Sequence, residues 1–314
     1  MELLSIIVPC YNEEKTVEMF MKELQKTLDG FNYEVIFIND GSEDNTLEII
    51  KNLADSNPNV IYISFSRNFG KESAIYAGLI NATGSLVGLM DADLQHPPSL
   101  LPEMIEAINE GYDVAAAKRV SKKGEPIVNS LGSRFFYRIF NSISSIKLVA
   151  GATDYRVMTR QVTDAVLRLN EYNRFSKGLF QWVGFETKWI EYENIQRVAG
   201  ESTWSLGDLI RYSLKAIVAF TTLPLSLSIV LGFIISALAF IYLLFIIVKY
   251  LIYSDPVQGF ATTICAILFL GGMQMILIGI LGKYLENTYN ETKNRPIFLV
   301  KETNIDDKRL DKIR

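Results

Sequence analysis

From Ala216 to Gly282 the chain carries only two charged side chains, Lys249 and Asp255. Nothing else in the sequence limits the fold as strongly. Leu223 to Val248 is an apolar run of about 26 residues and Phe260 to Leu281 one of about 22, against about 20 for a membrane-crossing helix. Both qualify as spans, and the first has length to spare for tilt. A pair of buried core helices is the plainer alternative, but buried soluble helices of this length rarely lack charge. The connecting segment, KYLIYSDPVQGF, is short, so the two helices form a hairpin. Arg211 and Lys215 precede the first span, Lys283, Lys293, Arg295 and Lys301 follow the second, and the linker offers only Lys249. The positive-inside rule then puts both ends in the cytoplasm. The tail over 283–314 is polar and reads as disordered. Gly271, Gly272, Gly279 and Gly282 would permit close helix contacts and leave room for a homo-oligomer.

Residues 1–215 have an ordinary mixed composition and read as a globular domain on the cytoplasmic side. The N-terminus, MELLSIIVPCYNE, has no basic region and too short an apolar run for a signal peptide. The net charge of −4 argues against a general nucleic-acid binder. Two cysteines, Cys10 and Cys265, one at a strand end and one in a span, make neither a disulfide frame nor a zinc site.

Short β-branched runs at 3–8, 33–39, 60–65, 85–91 and 113–118 predict strands, and helical periodicity fills the intervals between them. Alternating β and α units imply a mostly parallel sheet with helices on both faces, Rossmann-like in class. Ligands of such sheets sit at the carboxyl ends of the strands. Pro9, Tyr11 and Glu13, then Asp40-Gly41-Ser42, then Asp91-Ala92-Asp93 all fall at predicted strand ends. After Lys118 the alternation breaks. About 125–150 and 205–222 read as further helices, the first with Phe135, Phe136, Ile139 and Phe140 along one side. Such a helix either faces a core or lies in a membrane interface.

In LMDADLQHPP, Asp91 and Asp93 are alternate residues of an extended segment and can reach one ligand together. Two close carboxylates are costly without a cation or proton to offset them. Mg²⁺ typically takes one or two carboxylates plus substrate phosphates, so a metal-bound diphosphate is the natural ligand. A D-x-D alone is weak, and Asp40-Gly41-Ser42 alone is a plain turn and helix cap. His96, beside Pro-Pro, reads as a structural hydrogen-bond donor.

IIVPCYNEE, INDGSEDNT, SRNFGKESAIYAGL, DADLQHPP, TDYRVMTR and GESTWS occur in this order. Together they resemble the family-2 glycosyltransferases of the GT-A fold, in the dolichol-phosphate-mannose-synthase-like branch that includes bacterial bactoprenol glucosyltransferases. The resemblance implies that Pro9, Tyr11, Glu13, Asp40 and Asp91 line a nucleotide-sugar pocket, with Arg197 and Ser202 closing over the diphosphate. It implies that Asp91, Asp93 and Gln95 hold Mg²⁺ or Mn²⁺. Asp93, Asp154 and Arg156 would be catalytic, Asp154 as base or acceptor-site carboxylate. Arg119, Arg134 and Arg138 would bind the acceptor phosphate. The implied reaction is inverting transfer from a nucleotide diphosphate sugar, UDP-glucose or UDP-N-acetylglucosamine ahead of GDP-mannose, to polyprenyl (undecaprenyl) phosphate in the inner membrane. Two helices cannot enclose a transport path, so a separate flippase and a downstream glycosyltransferase would be partners. Two positions depart from the family pattern. Asn39 replaces the first aspartate of a D-D-G-S pair, and Thr203 stands where a phosphate-binding lysine is common, leaving Arg197 or Lys188 to compensate.

Three rivals remain. Transfer to a diacylglycerol would need the same donor site. A chain-extending synthase would carry Q-x-x-R-W, whereas Gln181-Trp182 lacks the arginine. A non-catalytic membrane scaffold would retain the nucleotide-sugar fold without turnover.

Overall fold

The computed structural model describes residues 2–120, 137–193, 206–253 and 259–306. Its centre is an eight-stranded mixed sheet in the order β7-β5-β6-β4-β1-β2-β3-β8. The strands are β1 (Leu4–Cys10), β2 (Tyr33–Asn39), β3 (Val60–Phe65), β4 (Leu86–Leu89), β5 (Val114–Arg119), β6 (Ala152–Thr159), β7 (Thr187–Tyr192) and β8 (Val300–Thr303). β1 pairs in parallel with β2 and β4, β2 with β3, and β5 with β7. β6 runs antiparallel between β4 and β5, and β8 runs antiparallel to β3. The first five strands are those that the sequence periodicity predicts.

Helices α1 (Val17–Thr27), α2 (Thr46–Ser56), α3 (Lys71–Asn81) and α4 (Leu101–Asn109) connect the parallel strands. Successive strand residues point to opposite faces, so β1 feeds two cores at once. Ile6 and Val8 pack with Phe20, Phe37 and Met104 on one face, while Ile7 packs with Ile36, Ile63 and Ala74 on the other. Gly78 lets α3 approach β1 closely, because a Cβ there would lie 2.2 Å from Ile7 Cγ2.

A third, smaller cluster joins Phe140, Ile146, Leu148, Phe175 and Ala216. It ties the helical residues 137–143 to the helix Leu206–Phe220. Phe140 is fully buried, so this part of the predicted 125–150 helix faces a core; Arg138 is exposed.

Two helices follow, Leu223–Tyr253 and Phe260–Thr292. Leu223–Lys249 and Thr263–Thr292 are long and apolar enough to cross a membrane, with mean hydropathies of 2.9 and 2.4 and none of the most apolar window buried. Exposure of this much hydrocarbon excludes the buried-core alternative and marks a membrane-associated chain. The second helix extends well past Leu281, and Val300–Thr303 then joins the sheet. The reading of the tail as disordered is therefore corrected over 283–306: the helix runs on to Thr292 and VKET, 300–303, serves as an edge strand despite its polarity, while 307–314 lie outside the described residues.

Candidate active site

The carboxyl ends of β1 and β2 are laced together by side chains. Asn12, at φ 56, donates its amide to Ser42 Oγ at 3.0 Å and accepts the Glu43 amide at 2.9 Å. The Glu13 amide donates to Thr46 Oγ1 at 2.8 Å. Ser42 is thus a tie between loops and not a helix cap. Buried Asn39 donates to Ser64 Oγ and accepts the Ser42 amide. Its amide uses both hydrogen-bonding senses, which an ionised aspartate could not do.

Asp40 follows, 4% exposed. Its carboxylate accepts the Phe69 amide at 2.7 Å and the Gly70 amide at 2.9 Å. Burial pushes its pKa up to about 6, against the lowering effect of these amides and Arg67. Asp40 thereby fixes the loop that delivers Lys71, the first residue of α3.

The β4 end carries the D-x-D. In the β4–β6 ladder Leu89 lies opposite Arg156. Continuing that antiparallel register by two residues sets Asp91 opposite Asp154. Lys71 bridges them, its Nζ 2.7 and 2.9 Å from the two Asp91 oxygens and 2.8 Å from Asp154 Oδ2. Burial works against the Asp154 charge, yet Lys71, Lys177 and Arg156 outweigh it and hold the carboxyl well below the usual range. Arg156 donates to the Asp154 and Thr153 carbonyls and stacks over Phe180, its Cζ 4.0 Å from the ring centroid. Burial lowers its pKa to about 10, so it remains a cation.

Asp93 is buried and accepts the Gln95 amide at 3.1 Å. Leu94, at φ 57, turns the chain between them. His96 is buried against Tyr155, with ring centroids 5.5 Å apart. Its Nδ1 has no hydrogen-bond partner and lies 3.8 Å from Asp91 Oδ2, so the expectation of a structural hydrogen bond is not met at that nitrogen. Burial, aided by Lys71, lowers its pKa and keeps the ring neutral.

Asp91, Asp93, Asp154 and Arg156 therefore gather where β4 and β6 meet, with Gln95 tied to Asp93 by its backbone amide and Asp40 linked to them through the Lys71 loop. Pro9 lies in β1 opposite Ile38, and Tyr11 is half-exposed beyond the strand. Arg119 ends β5, its amide bonded to the Gly151 carbonyl. Arg134, Arg197 and Ser202 lie outside the described residues. Lys188 is corrected as a substitute phosphate ligand: it pairs with Glu110 and sits opposite Ala115, at the start of β5 and far from the strand ends that carry the site. The residues missed from sequence are Lys71 and Glu72, the latter accepting both the amide and hydroxyl of Ser176. A lysine directly after a glycine at a helix start on this sheet edge was the available signal.

Among the described residues no group of three or more His, Cys, Asp or Glu side chains could hold a metal alone. The donors at hand are two carboxylates and the Gln95 amide, all hard oxygen. An ammonium already bonded to both Asp91 oxygens demonstrates that a positive charge is accepted there. These residues fit a divalent cation that completes its shell with phosphate oxygens.

Residues 5–168 match the family model for glycosyl transferase family 2. The chain belongs to that family, and its sheet has the GT-A arrangement. It is 46% identical to CsbB of Bacillus subtilis (strain 168) over 310 residues, 98% of this chain and 94% of that one. It is 38% identical to the bactoprenol glucosyl transferase of Shigella phage SfII over 302 residues, 96% of this chain and 98% of that one. Among solved structures, glucosyl-3-phosphoglycerate synthase from Mycobacterium tuberculosis, in complex with Mn²⁺ and UDP-glucose, covers 69% of this chain and 77% of its own, with 19% identity and a TM-score of 0.46.

Proposed function

We propose that the chain moves a sugar from a nucleotide diphosphate sugar, UDP-glucose or UDP-N-acetylglucosamine, to polyprenyl phosphate at the cytoplasmic leaflet, with inversion at the anomeric carbon. The observation that carries this reading is the convergence of Asp91, Asp93 and Asp154 at one sheet edge, in a chain that matches a bactoprenol glucosyl transferase along 96% of its length, apolar helices included.

Pro9, Tyr11, Glu13 and Asp40 line the nucleotide side, and Arg197 and Ser202 close over the diphosphate. Asp91, Asp93 and Gln95 would hold Mg²⁺ or Mn²⁺, which when bound neutralises the leaving diphosphate as a Lewis acid. Arg119, Arg134 and Arg138 take the acceptor phosphate, for which Arg is suited by its bidentate geometry. That phosphate is already an anion at neutral pH, so attack needs no strong base. Asp154 is a poor proton acceptor in any case, because Lys71, Lys177 and Arg156 stabilise its charge. Its role is to hold Lys71 and Arg156 in place around the reacting groups. Positioning and charge stabilisation supply the acceleration. A flippase and a downstream glycosyltransferase use the product.

Asp93→Ala tests the reading. The variant inserts into membranes normally and loses metal-dependent transfer of labelled sugar to undecaprenyl phosphate. Full activity in that variant removes the metal assignment. Label in an alkali-stable glycolipid, in place of an acid-labile phosphodiester, would instead favour a diacylglycerol acceptor.

A further inference from the structure

We propose that Lys71 is a resident counter-ion that competes with the divalent cation for Asp91, so that the metal enters only together with the nucleotide. The inference rests on the glycosyltransferase reading and deepens it by naming how the metal site is controlled.

The β4–β6 register forces two carboxylates, Asp91 and Asp154, to face each other across the sheet edge. Without a cation between them that arrangement is unfavourable. Lys71 meets the need, bonding both oxygens of Asp91 and one of Asp154 within 2.9 Å. A metal that takes Asp91 must therefore first displace an ammonium. The protein compensates it poorly for doing so, since among the described residues no group of three or more His, Cys, Asp or Glu side chains could hold a metal ion. A diphosphate changes the balance in two ways. Its oxygens fill the metal's remaining positions, and its negative charge gives the displaced ammonium a new partner.

The structure permits this exchange. Lys71 has 43% of its side chain exposed, so the side chain can move without repacking a core, even though its ammonium lies between the two carboxylates. Its backbone is held at the other end, because Asp40 anchors the Phe69 and Gly70 amides. Asp154 stays within reach as a second ligand for the ammonium. Lys71 then keeps Asp154, releases Asp91, and presents its charge to the bound phosphates. It also supplies a cation at the centre in a chain with threonine at position 203.

The test measures Mn²⁺ binding to the full-length detergent-purified protein by electron paramagnetic resonance, with and without UDP. The wild type is expected to bind Mn²⁺ weakly alone and about tenfold or more tighter with UDP, a coupling of ordinary allosteric size. Lys71→Met should tighten binding without UDP by a similar factor and so shrink the effect of UDP. Lys71→Gln provides the same readout if the methionine variant does not fold, and Lys71→Arg should restore the wild-type coupling. A merely structural role for Lys71 would weaken Mn²⁺ binding and could not tighten it. Neutral variants that bind Mn²⁺ alone no tighter than the wild type overturn the counter-ion role and leave the metal assignment standing. A wild type that fails to bind Mn²⁺ even with UDP overturns both.

Discussion

Phe298 stacks on Phe65, with ring centroids 4.9 Å apart and planes 20° from parallel. Phe65 ends β3 in the catalytic sheet, and Phe298 follows the second apolar helix. The contact is reinforced by β8 beside β3, by Asn304 accepting the Tyr62 amide at 2.8 Å, and by Lys51 2.9 Å from Glu302. The end of the apolar hairpin is thus fastened to the sheet that carries the active site. Phe65 also meets Phe69, whose amide Asp40 binds, so the fastening reaches the Lys71 loop.

Phe298→Ala should destabilise the protein by about 3–5 kcal/mol, since it empties a buried aromatic position. Chemical denaturation in detergent, followed by intrinsic fluorescence, measures it. A loss below about 1 kcal/mol would mean that the C-terminal segment does not pack as described.

Because β8 belongs to the catalytic sheet, the residues after the second helix must share a side of the membrane with the active site. The positive-inside rule predicts that this side is the cytoplasm. In a background lacking Cys265, Lys301→Cys should react with a membrane-impermeant maleimide only after cells are opened. Asp255→Cys, in the linker between the helices, should react in intact cells. The reverse pattern would overturn the topology.

The parallel half of the fold is legible in the sequence because each β–α unit announces itself locally, by period and by turn residues. β6 is not, although TDYRVMT alternates as a strand should. Its place between β4 and β5 is a long-range choice, made by the fit of Val157 and Tyr155 to the core. β8 hides behind a polar composition suited to an edge. The same limit applies to the site. Asp91, Asp93 and Asp154 stand out as carboxylates in recognisable motifs, whereas Lys71 matters only once the antiparallel register sets Asp91 opposite Asp154.

Asp40 makes stability depend on pH. Its folded pKa of about 6 exceeds the ordinary 3.8, so between these values the folded state binds more protons than the unfolded state. Stability contributed by this group is therefore present at low pH and lost as pH rises through about 4 to 6. Relative to Asp40→Asn, the wild type should lose roughly 3 kcal/mol across that window and stay level above it. Denaturant titrations at several pH values give the difference, and a flat difference from pH 4 to 7 would refute the assignment.

Gly41 offers the sharpest test of the link between the nucleotide loop and Lys71. It sits at φ +66, where a side chain is strained, and an added Cβ would lie 2.5 Å from the Arg67 carbonyl carbon and 2.6 Å from the Asn68 nitrogen. Both are backbone atoms of the loop that Asp40 holds, so the loop must move away. Gly30 shares the strain, at φ +79, but nothing lies within 4 Å of its Cβ position. Gly30→Ala should therefore cost about 1–3 kcal/mol of stability and leave UDP affinity unchanged. Gly41→Ala should cost more and weaken UDP binding in the presence of Mn²⁺ by about tenfold or more, because the displaced loop carries the Lys71 ammonium away from the bound phosphates. Calorimetric titration of the two variants side by side separates the effects. Equal UDP affinity in both would show that the Arg67–Gly70 loop has no part in holding the donor.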